Sequence, residues 1–474
     1  MSVHQLRLTS IIQHQGDAIH DIPFSVLYKY HHPKGCVPFR IGILFIQENA
    51  LKKCNYWIKL HFFSAFSCTS TSFSLPLPQN QTCLIMEELL GYYNLLVNRT
   101  KTDFHRYLYT EIDWQDHLVG LTGPRGVGKT TLVLQHIKEN LNRNTTLYVT
   151  AEDLYFSNHT LLSLAKDIAD KGFTHFFIDE IHKYPDWSRE LKLINDYHPN
   201  LHVVFTGSSI LDIQKGASDL SRRAVMYSMQ GLSFREYLML FHNINVPVYS
   251  IEDIIAQRVD ANAIEHPLQL FRQYLQTGYY PFSRERNFNR RLREVINQTL
   301  EVDIPVFARM NASTGHKLKR LLSIISESAP FKPNFTKIAT LLDVSRNVIG
   351  DYILMMEEAG MAMQLHNSTT GLRNLGKVEK VYLDNTNLIY NLSPENADLG
   401  NVRETFFLNQ TRLQNEVTFS GIADFQIGDF TFEVGGRHKG QQQIEQANRG
   451  FIVKDDIEFP MLNIIPLWHF GLNY

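Results

Sequence analysis

Residues 117–130 read HLVGLTGPRGVGKT, and the helix-like run TLVLQHIKENL follows at once. Few segments restrict a fold so tightly. An apolar strand must deliver the chain into a glycine-rich loop, and the loop must open a helix, because GxxxxGK[ST] acts only in that context. Glycines let successive backbone N–H groups turn inward onto phosphate oxygens, and the helix N-terminus adds its partial positive charge. The loop assigns Gly123, Arg125, Gly126, Val127, Gly128, Lys129, Thr130 and Thr131 to a bound nucleotide. Lys129 is expected to reach the β- and γ-phosphates and the Thr130 hydroxyl to ligate Mg2+, so the expected cofactors are ATP and Mg2+.

A second element lies about fifty residues downstream. In THFFIDEIHKYPDW a mostly apolar strand runs into Asp179 and Glu180. Alone, such a pair reads equally well as a helix cap. Behind a phosphate loop it predicts a Walker B element, with Asp179 on the metal and Glu180 polarising the attacking water. The next strand, LHVVFTGSS, ends in small polar residues, and Thr206 or Ser208 is expected to report on the γ-phosphate. Where a glutamate follows the Walker B aspartate, this strand lies between the loop strand and the acid strand. Arg222 and Arg223 precede AVMYSMQ. An arginine there, Arg223 by preference, is a candidate for stabilising transition-state charge on its own nucleotide or a neighbouring subunit's, which would imply a homo-oligomer. With TLYVT, five strands alternate with helices, so the fold class is α/β: a parallel sheet between helices, with ligand at the carboxyl ends of the strands.

The remaining sequence is less constrained. A chain of 474 residues exceeds one hydrophobic core, and a formal charge of -2 gives no global attraction to nucleic acid. No apolar run approaches the roughly 18–20 residues of a membrane span, and the N-terminus lacks a secretory core, so a cytoplasmic protein is expected. Cys36, Cys54, Cys68 and Cys83 all precede residue 86 and form no CxxC pair, which argues against zinc or a disulfide framework. The first 85 residues, with CTSTSFS and LPLPQNQT, lack sustained periodicity, whereas MEELLGYYNLLV is helical in spacing. Residues 1–85 are therefore expected to be either a poorly ordered or spurious extension ahead of a working start at Met86, or a regulatory or targeting extension. The expected domains are 86–245 (P-loop ATPase), 246–310 (helical connector), 311–370 (winged-helix-like) and 371–474.

The set LTGPRGVGKTTLVLQHI, FIDEIHKYPDWSRELK, VVFTGSS, LSFREYL, QYLQTGYYPF, TLEVDIP and KVYLDNTNLIYNL resembles a prokaryotic group of AAA+-type ATPases whose C-terminal half is a domain of unknown function. The resemblance runs from Met86 to the C-terminus. It implies an ATPase core followed by a winged-helix segment and an α+β region related to PD-(D/E)xK nucleases. In that last region Asp424 and Glu433 match the metal-holding acids, but Gly435 stands where a catalytic lysine is needed, with Arg437 and Lys439 off register. An inactive nuclease-like module is expected. Residues 335–361 read as two helices around a turn near LDVS, with Ile338, Ala339, Leu341 and Leu342 facing the core from the first, Val348, Tyr352, Met355 and Met356 from the second, and Ser345 as N-cap. Acids on the second helix disfavour DNA contact there. The leading reading is an ATPase whose hydrolysis rearranges a C-terminal interaction module with a DNA or protein partner. The alternative is an ATP-gated binding switch with little turnover.

Overall fold

Five parallel strands carry the phosphate loop. They are β1 (Leu118–Thr122), β2 (Thr146–Thr150), β3 (His175–Asp179), β4 (His202–Thr206) and β5 (Val225–Ser228), in the order β2-β3-β4-β1-β5. The strand ending in Thr206 thus lies between the loop strand and the acid strand, as expected. Every residue of β1 is buried, which is what a central parallel strand covered on both faces requires. Alternation along the strands divides the core. Leu118, Phe176, Ile178, Val203 and Phe205 face helices Leu161–Asp170 and Trp187–Tyr197. Val119, Leu121, Phe177 and Val204 face helix Lys129–Asn140 and Tyr93 and Val97 of helix Gln79–Arg99.

The computed structural model describes residues 79–474 except 208–219, 221, 312, 328–333, 368–377, 396, 438 and 441. Contacts divide the chain into Met1–Pro76 and Leu77–Tyr474, and all of these residues belong to the second unit. The expected extension over 1–85 falls almost wholly outside the described residues. Helix Gln79–Arg99 begins ahead of the expected seam at 86, so that seam marks a change in composition and not a helix start.

Beyond β5 the apolar residues from Phe234 to Leu472 form one continuous cluster. The stretches 246–310, 311–370 and 371–474 therefore share a core. Helices Phe335–Leu342 and Arg346–Glu358 are joined through Asp343, which takes the left-handed conformation (φ 51°). Their buried faces differ in detail from the expected ones. Leu341 is 43% exposed, and the second helix buries Ile349, Tyr352, Ile353 and Met356, with Val348 and Met355 at the margin. The phase of a short helix is set by what it packs on, and that is absent from its own periodicity. Ser345 is the N-cap residue, but its hydroxyl accepts no backbone N–H. The antiparallel pair β6 (Ala362–His366) and β7 (Val378–Leu383) follows.

A second sheet closes the chain. Strands β8 (Val417–Phe419), β9 (Phe425–Ile427) and β10 (Phe430–Gly435) form an antiparallel meander, and β11 (Gly450–Lys454) and β12 (Ile464–Pro466) add to β10 in parallel. Helix Leu399–Thr411 lies against it, with the Phe407 ring 4.9 Å from Phe425 and 5.3 Å from Phe432.

Candidate nucleotide site

Gly126 and Gly128 hold φ of +85° and +103°, the left-handed backbone that lets the loop curl. Lys129 opens the following helix, and its ammonium donates to the Gly123 and Pro124 carbonyls at 2.8 and 2.9 Å. The lysine is buried, and burial pushes it down to about 8 from 10.5 against the pull of Glu180 and Asp179. Charged Lys129 thus costs stability below about pH 8, and the cost fades as the pH rises towards 10.5. Phosphate oxygens would supply the charge compensation that two carbonyls give only in part.

Asp179, at the end of β3, is the hub of the acid side. Its carboxylate accepts from Thr130 Oγ1 and Tyr148 OH, each at 2.7 Å, and from Thr206 Oγ1. Thr206 is buried and engaged with the carboxylate, a positioning contact. Ser208 lies outside the described residues. Glu180 adopts φ 51°, unusual for a residue with a side chain, with its N–H 3.2 Å from Asp179 Oδ1 and its Oε2 3.5 Å from His182 Nε2. Strain of this kind collects at functional positions because the surrounding structure must hold it.

Gly126, Gly128, Lys129, Thr130, Thr131 and Glu180 line one side of a cavity of about 360 Å3, and Pro281, Phe282 and Glu285 line the other. Lys129 and Glu180 thus share one cleft, and Asp179 stands behind it, bonded to the lining Thr130. The hydroxyl of Thr130 beside the Asp179 carboxylate offers a hard oxygen pair suited to Mg2+, and the loop, its glycines and its buried ammonium suit a triphosphate. ATP affinity is expected to fall above about pH 8, because the free protein must then take up a proton on Lys129 to bind. Titrations from about pH 7 to about pH 9.5 would show log Kd steepening towards one unit per pH unit. A flat profile would remove Lys129 from the phosphate contact.

Arg223 sits elsewhere. Its Nε and Nη2 bond Asp196 at 2.8 and 3.1 Å, at the entry to β5. Val225 pairs with Val119, so Arg223 stands at the amino edge of the sheet, roughly 13 Å or more along the strands from the loop. It does not reach its own nucleotide, which corrects one of the two roles expected of it. Arg222, on the same turn, is exposed at that edge.

Several site residues escaped the sequence. Arg125 Nη2 pairs with Asp303 Oδ2 at 3.2 Å, and Lys183 Nζ lies 3.7 Å from Asp303 Oδ1. Asp303 is buried and ends the π-helical segment Gln298–Asp303. Phe282 leans over the loop: a Cβ on Gly126 would fall 2.8 Å from its ring. Arg106 is buried and ties Glu236 (2.9 Å) to the carbonyls of Val127 (2.6 Å), Gln230 (2.7 Å) and Gly231 (2.8 Å). Asp303 lies in TLEVDIP and Phe282 ends QYLQTGYYPF, both stretches marked by the resemblance, whereas Arg106 gave no signal.

Beside the second sheet, Lys380 Nζ of β7 bridges Glu404 Oε2 of helix Leu399–Thr411 (3.0 Å) and Asp424 Oδ1 just ahead of β9 (2.9 Å). Lys439 folds back across Gly435, where a Cβ would fall 2.7 Å from its Cγ, and its ammonium pairs with Glu433. Burial, with Asp424 second, raises both Glu404 and Glu433 above the usual carboxylate range. Among the described residues no three His, Cys, Asp or Glu are grouped to hold a metal ion, and no helix is long and apolar enough to cross a membrane.

The AAA domain family matches residues 115–238, the span that carries the loop, the acid pair and all five strands. Residues 115–238 thus resemble the AAA domain of P-loop ATPases. A second match, to a domain of unknown function (DUF8612), covers residues 268–399. The uncharacterized protein MJ1637 of Methanocaldococcus jannaschii is 23% identical over 294 residues, 58% of this chain and 61% of that protein. The chain therefore matches about three fifths of that relative's length. The uncharacterized protein MJ1544 of the same organism is 21% identical over 411 residues, 74% of this chain and 87% of its own. Among solved structures, the Walker-type ATPase PABY2304 of Pyrococcus abyssi is 12% identical, covers 61% of this chain and 95% of its own, and gives a TM-score of 0.37. A katanin structure, 15% identical, covers 37% of this chain and 59% of its own at a TM-score of 0.22.

Proposed function

We propose that the chain hydrolyses Mg·ATP at the loop and that the nucleotide state is passed to the second half through Asp303. Lys129 neutralises the β- and γ-phosphates, Thr130 and Asp179 hold the metal, and Glu180 takes the proton of the attacking water. Bound Mg2+ supplies charge neutralisation on the phosphate oxygens. Arg223 is kept as a contact to a neighbouring subunit's nucleotide, within a homo-oligomer. The helix pair with β6–β7 acts as a winged-helix-like element and the second sheet as an inactive nuclease-like module, together meeting a DNA or protein partner.

The observation that carries the coupling is the shared carboxylate. Asp303 holds Arg125 of the phosphate loop and Lys183 just past the acid pair, so one carboxylate ties together cations from both nucleotide-site segments. Phosphates arriving beside Arg125 compete with Asp303, and the helical segment behind it is the element released or retained. Asp303→Asn removes that competition, and ATP affinity is expected to rise about three- to tenfold, the scale of a partly buried ion pair. In the wild type, a non-hydrolysable ATP analogue is expected to change amide exchange over residues 298–307, and the change should vanish in Asp303→Asn. An analogue that binds without altering exchange there would end the coupling proposal and leave the ATPase reading standing.

A further inference from the structure

A second cleft lies apart from the nucleotide site. It lies at the carboxyl ends of β10 and β11, encloses about 660 Å3, and is lined by Arg272, Arg403, Gly436, Arg437, Lys439 and Asp456. Four cations thus face one acid, in a chain whose formal net charge is -2. They come from three separate segments: helix Pro267–Gln273, helix Leu399–Thr411 and the loop after β10. Missing side chains make the room. Gly435 lets the Lys439 stem cross the strand end, and a Cβ on Gly436 would fall 3.3 Å from the Arg403 guanidinium.

We propose that this cleft binds the phosphodiester backbone of a nucleic acid. The proposal deepens the reading of the C-terminal half as an interaction module and names its partner class. The lining contains no apolar side chain, whereas pockets for small ligands are mostly apolar with a few polar groups. A ligand held here is held by its anionic groups alone, and the spacing of cations from three segments suits a line of phosphates better than one. The rim is wet, as backbone contacts are: the Arg272 side chain is 64% exposed and that of Lys439 34%. Arg437 is exposed and has no acidic partner among the described residues. Arg272 pairs with Asp456 at 2.6 Å, Arg403 with Asp455 and Lys439 with Glu433, so incoming phosphates compete with three acids for these cations. The contact is to backbone, so binding is indifferent to sequence and steeply dependent on salt.

The test is fluorescence anisotropy of the 474-residue chain with a labelled DNA single strand and its duplex, without nucleotide and with EDTA present. Wild type is expected to bind at low salt, with log K falling linearly against log salt. Arg437→Glu is expected to weaken binding at least about tenfold and to make the salt slope shallower by about one. Arg272→Glu provides the same readout should Arg437→Glu fail to fold, and Arg290→Glu, a charge reversal on an 82% exposed side chain that does not line the cleft, should match wild type. Equal losses in Arg290→Glu and Arg437→Glu overturn the proposal, as does wild-type affinity in both cleft variants. Retention of inorganic phosphate or free ATP by the cleft with no DNA binding overturns it too. ATP turnover is measured separately on the same samples, so failure of the ATPase reading is seen apart from failure of this one.

Discussion

Glu180→Gln is expected to cut steady-state phosphate release by about 10²- to 10⁴-fold, the usual worth of a positioned general base, with ATP binding kept near wild type. The substitution preserves shape and removes the group that accepts a proton. Glu180 lines the same cleft as Lys129 and Thr130, and its backbone is held at φ 51° by Asp179 and the turn that follows. Lys129 and the loop N–H groups do not depend on its charge, so equilibrium binding of an ATP analogue should survive. Two outcomes would reject the assignment. Undiminished turnover would give the water to another base, and negligible turnover in both proteins would favour an ATP-gated binding switch over a hydrolase.

The second large effect concerns stability. Arg106→Met is expected to destabilise the chain by about 3–5 kcal/mol, because it leaves Glu236 charged, buried and without its cation. Arg106 and Glu236 side chains are 5% and 1% exposed, and the guanidinium also satisfies three carbonyls. One of these, Val127 O, belongs to the phosphate loop, so ATP affinity should weaken as well. Urea denaturation of the single variant beside Arg106→Met/Glu236→Gln separates the causes. The double variant should recover part of the loss, and a single variant within about 1 kcal/mol of wild type would show that the pair is not what holds this junction.

The core was legible because its signals are local. A loop whose glycines need positive φ, a lysine that must open a helix and a strand that must end in acids each carry their chemistry within a few residues. The position of β4 followed from the glutamate after Asp179. The roof of the cleft was hidden for the opposite reason: Phe282 and Asp303 lie 156 and 178 residues from Gly126 and Arg125, and only folding sets them together. Lys439 shows the same limit in miniature. Counting two positions past Glu433 gives Gly435, yet the missing side chain at Gly435 is what lets an ammonium arrive there from four residues further on.

The long-range closure around helix Phe234–His242 bears on how the chain is made. Ser233 Oγ donates to the Tyr474 carbonyl across 241 residues, Tyr249 N–H to the Leu472 carbonyl, and Trp468 packs edge-on against Phe234. During synthesis the five-stranded core can order once residue 228 has emerged, whereas the second core must wait for residues 467–474. Closing so wide a loop is slow, and the waiting apolar surface around Phe234 is open to misassociation in the interval. Acquisition of the native state is therefore expected to proceed in at least two stages, the later one completing the junction that Arg106 anchors beside the phosphate loop.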